Sequence, residues 1–349
     1  MSKIFSHDYD ATAALAVLSN PHKSIEQIAS ERGRPRLIQA VRSRGVDMHI
    51  IHGQQSIDLD TGVAQVGRPE FHDGIPTMTN LGERALSSYG VIRNLLRPSD
   101  PTIDTFTTVV NPTNLRLLGR DKNKIGQTIL APLGLYRQSY LHTPDKPFRL
   151  SNIDFARELV VKPNTGFGSR GIGKGTPEEI FNALDQSSAP FLIEERLSFT
   201  PPLPVRGRDE KEQARLDDAN ERGLNKELRM YSFGDDDWYT VGRVAYQHEL
   251  KMSGEEWIFL DEQSVPDVAY AITSQVKSRV DRETNTADTL LAVDLVYVTS
   301  SSNPEPHWEV MEVNAEHYIV RSNVDKTTGE KFRSLLADHI VRRATNTHT

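Results

Sequence analysis

The sequence predicts an α/β protein, parallel in its opening unit and mixed α+β beyond it. Three observations carry that class. An apolar run over Ala13–Leu18, a helix pattern over Arg36–Arg42 and a second apolar run over Val46–Ile51 make a strand–helix–strand opening, the signature of a parallel unit. In mid-chain, the run Leu159–Lys162 enters a glycine-rich loop, Gly166-Phe-Gly-Ser-Arg-Gly171, followed by a helix pattern over Pro177–Leu184 and a strand over Pro190–Glu195. Toward the end, Glu227–Phe233 and Trp238–Val244 read as a hairpin, and Leu290–Val298 pairs with Trp308–Asn314.

Composition narrows the function classes. A chain of 349 residues is long enough for two or three units with real cores. A net charge of −7 argues against nucleic acid as the main partner. No apolar run approaches the length of a membrane span, and the opening Met1-Ser-Lys-Ile-Phe lacks a signal-peptide core. With no cysteine, disulfides, thiolate metal sites and cysteine nucleophiles are excluded. The expectation is a cytoplasmic protein, with no membrane partner and a homo-oligomer left open.

In the first unit, Leu37, Ile38 and Val41 share one helix face, and Gly45 stops the helix. No glycine fingerprint sits at its first turn, so it is not a nucleotide site. His49, His52 and His72 follow no ligand spacing and read as ordinary histidines. Thr107–Pro112 closes the unit as a strand. A helix starts near Asp121, with Ile125, Ile129 and Leu130 periodic and Pro132 as its end. Lys122 lies in its first turn, where a cation opposes the helix dipole. Residue chemistry alone favours a solvated lysine there over a phosphate ligand. Tyr136–Tyr140 is a further strand.

After Leu197 the composition changes. Thr200-Pro-Pro-Leu-Pro-Val205 is rigid and turn-rich, and Asp209–Arg222 is nearly all polar, a solvated helix or mobile insertion ended by Gly223. Asp235-Asp236-Asp237 is the turn of the hairpin. Ser264–Val280 is an amphipathic helix with Val268, Ile272, Val276 and Val280 as its apolar stripe. Thr327 and Glu330 make a capping box for a final helix.

Four sets of residues carry chemistry. Bare amides in the glycine loop, beside Lys162 and Arg170, suit a polyphosphate. No Gly-x-x-x-x-Gly-Lys-[Ser/Thr] is present, which excludes a P-loop. A dinucleotide fold needs a helix starting inside the motif, yet Gly173, Gly175 and Pro177 delay it. A protein kinase needs His-Arg-Asp and Asp-Phe-Gly, and neither occurs. Asp294 interrupts an apolar strand, where an unpaired carboxylate is costly. Glu312 and Asn314 share a strand face by period two, with Met311 and Val313 facing the core. Together the three offer oxygen ligands to Mg²⁺ and are favoured as a metal set over a buried ion pair with an arginine. Arg229 and Arg243 project from the hairpin, either as solvated arginines or as forks for phosphate or carboxylate.

In this order, over Asn111 to Asn314, the residues resemble the ATP-grasp superfamily. Asn111-Pro112 with Asp121-Lys122 resembles its approach to the nucleotide, and Val161-Lys162-Pro163 with the glycine loop its lid. Phe191-Leu-Ile-Glu-Glu-Arg-Leu197 resembles the adenine hinge, Glu227-Leu-Arg229 the acid-x-Arg strand, and Asp294 with Glu312-Val-Asn314 the magnesium strands. The finer resemblance is to glutathione-synthetase-like and ribosomal-protein glutamate-ligase-like carboxylate–amine ligases. It implies an ATP-grasp fold behind an N-terminal parallel α/β pre-ATP-grasp domain. The implied domains are 1–112, a linker helix and lid over 113–197, and a C-terminal metal-binding subdomain over 198–349.

The resemblance further implies ATP with two Mg²⁺ ions, or Mn²⁺ in their place. Lys122, Lys162, Gly166, Gly168, Ser169 and Gly171 would face phosphates. Glu194, Glu195, Arg196 and Leu197 would hold adenine, and Glu227 or a residue in Asp209–Glu212 the ribose. Lys162, Arg229 and Arg243 would assist the transfer, and Asp294, Glu312 and Asn314 would hold metal. The substrates would be a small-molecule or peptide carboxylate and an amine, with His317, Tyr318 and Arg321 near the acceptor or packed on the last helix. A small-molecule kinase and a regulatory ATP-binding protein are the rival classes.

Overall fold

The computed structural model describes residues 13–18, 39–45, 47–52, 55–58, 63–66, 89–92, 108–110, 118–119, 121–152, 158–165, 171–184, 187, 189–234, 237–245, 256–285, 289–301, 303–314 and 326–345. The chain divides into two compact units: Met1–Thr113 with Asp288–Leu290 and Glu316–Thr349, and Asn114–Ala287 with Leu291–Ala315. Among the described residues, no helix is long and apolar enough to cross a membrane.

The first unit holds a four-stranded sheet in the order β2–β1–β5–β6, from β1 (Ala13–Leu18), β2 (Asp47–His52), β5 (Tyr89–Ile92) and β6 (Thr108–Val110). Each pairing is parallel, as the opening strand–helix–strand pattern requires. β3 (Gln55–Asp58) and β4 (Val63–Val66) form a separate antiparallel ribbon. The C-terminal helix, Lys326–Thr345, packs on β1, β5 and β6 and buries Phe332, Leu336 and Ile340. It already includes Thr327, so that residue lies inside the helix and not at the cap of the expected capping box.

In the second unit, α1 (Lys122–Ile125) runs on as a π-helical turn over Gly126–Leu130 and a 3-10 turn over Ala131–Leu133, closing at Gly134. A small antiparallel sheet follows in the order β7–β10–β8–β9, from β7 (Ser139–His142), β8 (Leu159–Pro163), β9 (Gly173–Gly175) and β10 (Phe191–Glu195). The first of these begins three residues later than the expected Tyr136–Tyr140 strand. α2 (Pro177–Leu184) sets Ile180 and Leu184 against Leu159, Val161 and Ile193. Its start is fixed by a reciprocal cap: Glu179 N–H donates to Thr176 Oγ1 at 3.3 Å, and Thr176 N–H donates to Glu179 Oε2 at 2.8 Å.

The polar insertion is the ordered helix α3 (Glu210–Glu221), capped by Asp209 and ended by Gly223 at φ 59°. Composition concealed its buried stripe of Glu212, Leu216 and Ala219, spaced i, i+4, i+7. Glu212 is satisfied there by Arg215 Nη1 at 2.9 Å and by Phe259 N–H at 3.1 Å. The helix is therefore anchored rather than solvated all round.

The larger sheet has five antiparallel strands in the order β13–β12–β11–β14–β15: β11 (Lys226–Ser232), β12 (Trp238–Val244), β13 (Glu256–Ile258), β14 (Leu291–Val298) and β15 (His307–Asn314). One face carries Leu228, Met230, Val293, Leu295, Val310 and Val313 into the main core, covered by α4 (Asp267–Thr284). The helix buries Ala269, Ile272, Val276 and Val280, while Val268 is 47% exposed. Four residues overshoot a 3.6-residue turn, so a strict spacing of four drifts off the buried face by Val268.

β15 also departs from the expected alternation. The register shifts between Asp294 and Leu295: Asp294 pairs with Glu312, but Leu295 pairs with Val310. Met311 is the extra residue of this bulge. Val310 and Val313 reach the main core, whereas Met311 packs beside Leu197, Val296 and Val298.

Candidate active site

A cleft of about 720 Å³ opens in the second unit. Lys162 and Val160 of β8, Ile172 after the glycine loop, and Glu194 and Glu195 of β10 form one wall. The residues after β10, Arg196 to Thr200, form its back. Arg222–Asn225 at the end of α3, Ser300 and Ser301, and the bulged Met311 complete it. The hinge expected over Glu194–Leu197 is thus a wall of the cleft. The turn is held from both sides, because Ser198 and Thr299 exchange main-chain hydrogen bonds at 2.9 and 3.1 Å and Glu195 accepts from the N–H and Oγ of Ser301. Glu195 therefore shapes the hinge with its side chain.

Lys162 Nζ lies 2.7 Å from Glu194 Oε2, and Arg137 Nη2 also donates to that oxygen. Burial pushes the Glu194 carboxyl up, but Arg137 and Lys162 outweigh it and hold the group below its usual range. Glu194 is consequently an anion at neutral pH. Arg137 reaches onward to Glu309 of β15 at 3.5 Å, and its guanidinium lies 3.9 Å from the Met311 sulfur. Arg137 has one signal in the sequence, a lone cation in a stretch expected to be a strand. Gly171, at φ 75°, turns the chain out of the glycine loop, and a Cβ there would lie 3.0 Å from the Pro163 ring. Gly166, Gly168, Ser169 and Arg170 lie outside the described residues, as do His317, Tyr318 and Arg321.

Next to the cleft, the polar face of the larger sheet gathers charge. Cross-strand register does this: Glu227 opposes Arg243, Arg229 opposes Asp294, and Asp294 opposes Glu312. Arg229 grips Asp294 with two hydrogen bonds, both 2.6 Å. Arg243 lies 2.5 Å from Glu227 and 3.5 Å from Asp294. Asn314 Nδ2 donates to Asp294 Oδ2 at 3.0 Å and to Glu312 Oε2 at 3.4 Å. Lys122 comes from α1 to within 3.4 Å of Glu312 Oε1. All three expected metal ligands, both arginines and one lysine therefore share one patch. Burial pushes Asp294 up, but Arg229, then Arg243 and Asn314, hold it below the usual carboxylate range.

Among the described residues, no group of three His, Cys, Asp or Glu side chains is gathered to hold a metal ion. The expected set is two carboxylates and one amide, all oxygen donors of the hard kind that Mg²⁺ takes. Among the described residues, Asp294 Oδ1 accepts one hydrogen bond, from Arg229 Nε, which leaves an acceptor site on that oxygen. The residues fit the ion, with Arg229 orienting one ligand from behind.

Glu227 does not line the cleft. Its carboxyl is buried against Arg243, whose Nη1 lies 2.5 Å from Oε1. Burial and the nearby Asp294 push it up to about 8 against the pull of Arg243 and Arg229, so it is largely protonated at neutral pH. No residue of Asp209–Glu212 lines the cleft either: Asp209 caps α3 and Glu212 is buried. A carboxyl raised from 4.5 to about 8 on folding gives stability that is full below the lower value and lost as pH rises through the higher. The variant Glu227→Gln should therefore flatten the fall in stability between about pH 5 and 8, read by urea denaturation at several pH values. An unchanged pH slope would contradict the raised value.

No family model matches the sequence, and no curated protein does. Solved structures do match in shape. D-alanyl-alanine synthetase A from Vibrio cholerae is similar over 96% of this chain and 98% of its own, at TM-score 0.57 and 12% identity. D-alanine–D-alanine ligase from Bacillus anthracis complexed with ATP is similar over the same shares, at TM-score 0.55 and 15% identity. The chain has the ATP-grasp fold. Macrocyclase MdnC from Microcystis aeruginosa, bound with precursor peptide MdnA, has the same fold at TM-score 0.53 and 11% identity, over 94% of this chain and 99% of its own.

Proposed function

We propose that this protein is an ATP-dependent carboxylate–amine ligase, releasing ADP and phosphate through an acyl phosphate. The observation that carries the reading is the bulge in β15. It turns Met311 into the wall of the cleft while Glu312 and Asn314 stay with Arg229, Arg243 and Lys122. A nucleotide base at the hinge thus leads directly to a cationic and oxygen-rich patch. The named similar structures, two dipeptide-type ligases and a macrocyclase bound to a peptide, support amide formation as the class.

In this reading the hinge backbone after Glu195 holds adenine. Ser198, Thr200 and Asn225 offer neutral partners to the ribose, because neither acid expected there faces the cleft. Lys162 exchanges Glu194 for a phosphate oxygen. Asp294, Glu312 and Asn314 would hold Mg²⁺, which supplies charge neutralisation between phosphates when bound. A substrate carboxylate oxygen attacks the γ-phosphorus, the bond to ADP breaks, and Arg229 and Arg243 counter the charge on the transferring group. The amine nitrogen then attacks the acyl carbon, phosphate leaves, and the nitrogen loses a proton to solvent. The chemistry needs positioning and cations more than an acid–base residue.

The test is an ADP-release screen of carboxylates with Mg²⁺ and hydroxylamine as the acceptor. Hydroxamate should form in step with ADP for the true donor. Phosphorylation of an alcohol with no hydroxamate from any carboxylate would replace the ligase by a kinase. ATP binding without ADP release under any substrate would leave a regulatory protein.

A further inference from the structure

Asn164, the residue after Lys162-Pro163, joins the root of the glycine loop to the start of α1. Its side chain is 5% exposed and makes two hydrogen bonds: Nδ2 donates to Asp121 Oδ1 at 3.0 Å, and Oδ1 accepts from Asn123 N–H at 2.9 Å. Its main-chain oxygen accepts from Lys122 N–H at 3.1 Å, and its N–H donates to Pro190 O at 3.0 Å. Asp121 in turn caps Lys124 N–H at 2.8 Å, and an isolated bridge pairs Asp121 with Thr165.

The first three N–H groups of α1 are thereby all satisfied, two by Asn164 and one by Asp121. With those donors spent, the helix start offers an anion no free main-chain N–H from its first three residues. What it presents is the side chain of Lys122, held between two residues that Asn164 binds and directed at Glu312. The same loop root carries Lys162 two residues earlier, at the cleft wall.

We infer that Asn164 is a positioning residue: it ties Lys122 to the root of the lid, so that Lys122 and Lys162 meet the nucleotide phosphates as one unit. This rests on the nucleotide reading of the cleft. Aspartate at this position would keep the acceptor for Asn123 but set a second carboxylate against Asp121, and alanine would remove both side-chain contacts.

The test is a double-mutant cycle on the full chain, with ATP affinity in the presence of Mg²⁺ read by calorimetry. Lys122→Ala and Asn164→Ala should each weaken ATP binding, by roughly 2- to 150-fold, the span of coupling within one hydrogen-bonded network. The double variant should bind no more weakly than Lys122→Ala alone. A purely structural asparagine would lower the melting temperature but leave the affinity of the folded protein unchanged, or give effects that add. Either of those results overturns the inference and leaves the nucleotide site standing. If Lys122→Ala leaves ATP affinity intact, Lys122 is not a phosphate ligand and the inference falls with it. If the wild-type chain binds no ATP, the reading of the cleft itself fails. Should Asn164→Ala not fold, Asn164→Ser, which keeps the main-chain bonds, takes its place in the cycle with the same criteria.

Discussion

Arg229→Ala is expected to lower folding stability by about 3–5 kcal/mol at neutral pH, the range for removing one partner of a buried ion pair. Asp294 is 2% exposed, and both of its oxygens accept from Arg229. Removing the guanidinium leaves that carboxylate facing Arg243 at 3.5 Å and the Asn314 amide, in a strand whose neighbours Val293 and Leu295 are wholly buried. The deficit should shrink in acid. Asp294 has a depressed value in the native protein, so its contribution is present above the unfolded value of 3.8 and lost as pH falls through the folded one. In the variant there is little left to lose. Denaturant titrations at pH 7 and at a series of pH values below 3.8 measure both effects. Arg229→Lys keeps a charge but not the two-pronged geometry, and should fall between wild type and alanine. The paired change Arg229→Met with Asp294→Leu removes the stranded charge and should recover much of the loss. A loss below about 1 kcal/mol for Arg229→Ala would mean that the pair behaves as a solvated one.

Arg229 and Asp294 also show how the sequence carries the site. A single acid in Leu290–Val298 and an alternating Glu227-Leu-Arg229 announce polar groups on otherwise apolar strands, and such groups must find one another or a ligand. Which residue meets which depends on register. The bulge at Met311 is set by packing across two strands, and nothing in Glu-Val-Met-Glu-Val-Asn marks it, so Met311 joins a smaller apolar cluster at the cleft and not the main core that takes Val313. Glu227 illustrates the same limit: a strand acid beside a hinge reads as a ligand for ribose, and the sequence does not show that hairpin pairing sets it against Arg243. Arg137 was unreadable because its partners, Glu194 and Glu309, lie on strands remote in sequence. The parallel opening sheet was legible because apolar runs and a 3.6-residue pattern are local signals.

Glu312→Ala separates function from folding where Arg229→Ala cannot. Its side chain is 37% exposed, and its ion pair with Lys122 is long, at 3.4 Å. Such a pair contributes about 0–1 kcal/mol, so the variant should keep the wild-type melting curve within that margin. Activity should respond otherwise. If Glu312 holds Mg²⁺ against the phosphates, its loss withdraws charge stabilisation that exists mainly in the transition state, and ADP release should drop by at least about 10²-fold. Glu312→Gln supplies the decisive comparison. Glutamine keeps the length, a neutral oxygen and the contact with Asn314, but lacks the anionic ligand, so it should be nearly as inactive as alanine. Retained turnover in Glu312→Gln, with loss only in alanine, would reduce Glu312 to a polar spacer beside Lys122. Retained turnover in both would remove the metal from this face of the sheet. Lys122→Ala completes the argument, because a lysine that serves only to neutralise Glu312 would become dispensable once the carboxylate is gone. A lysine that binds phosphate would still be required for ATP affinity in the Glu312→Ala background.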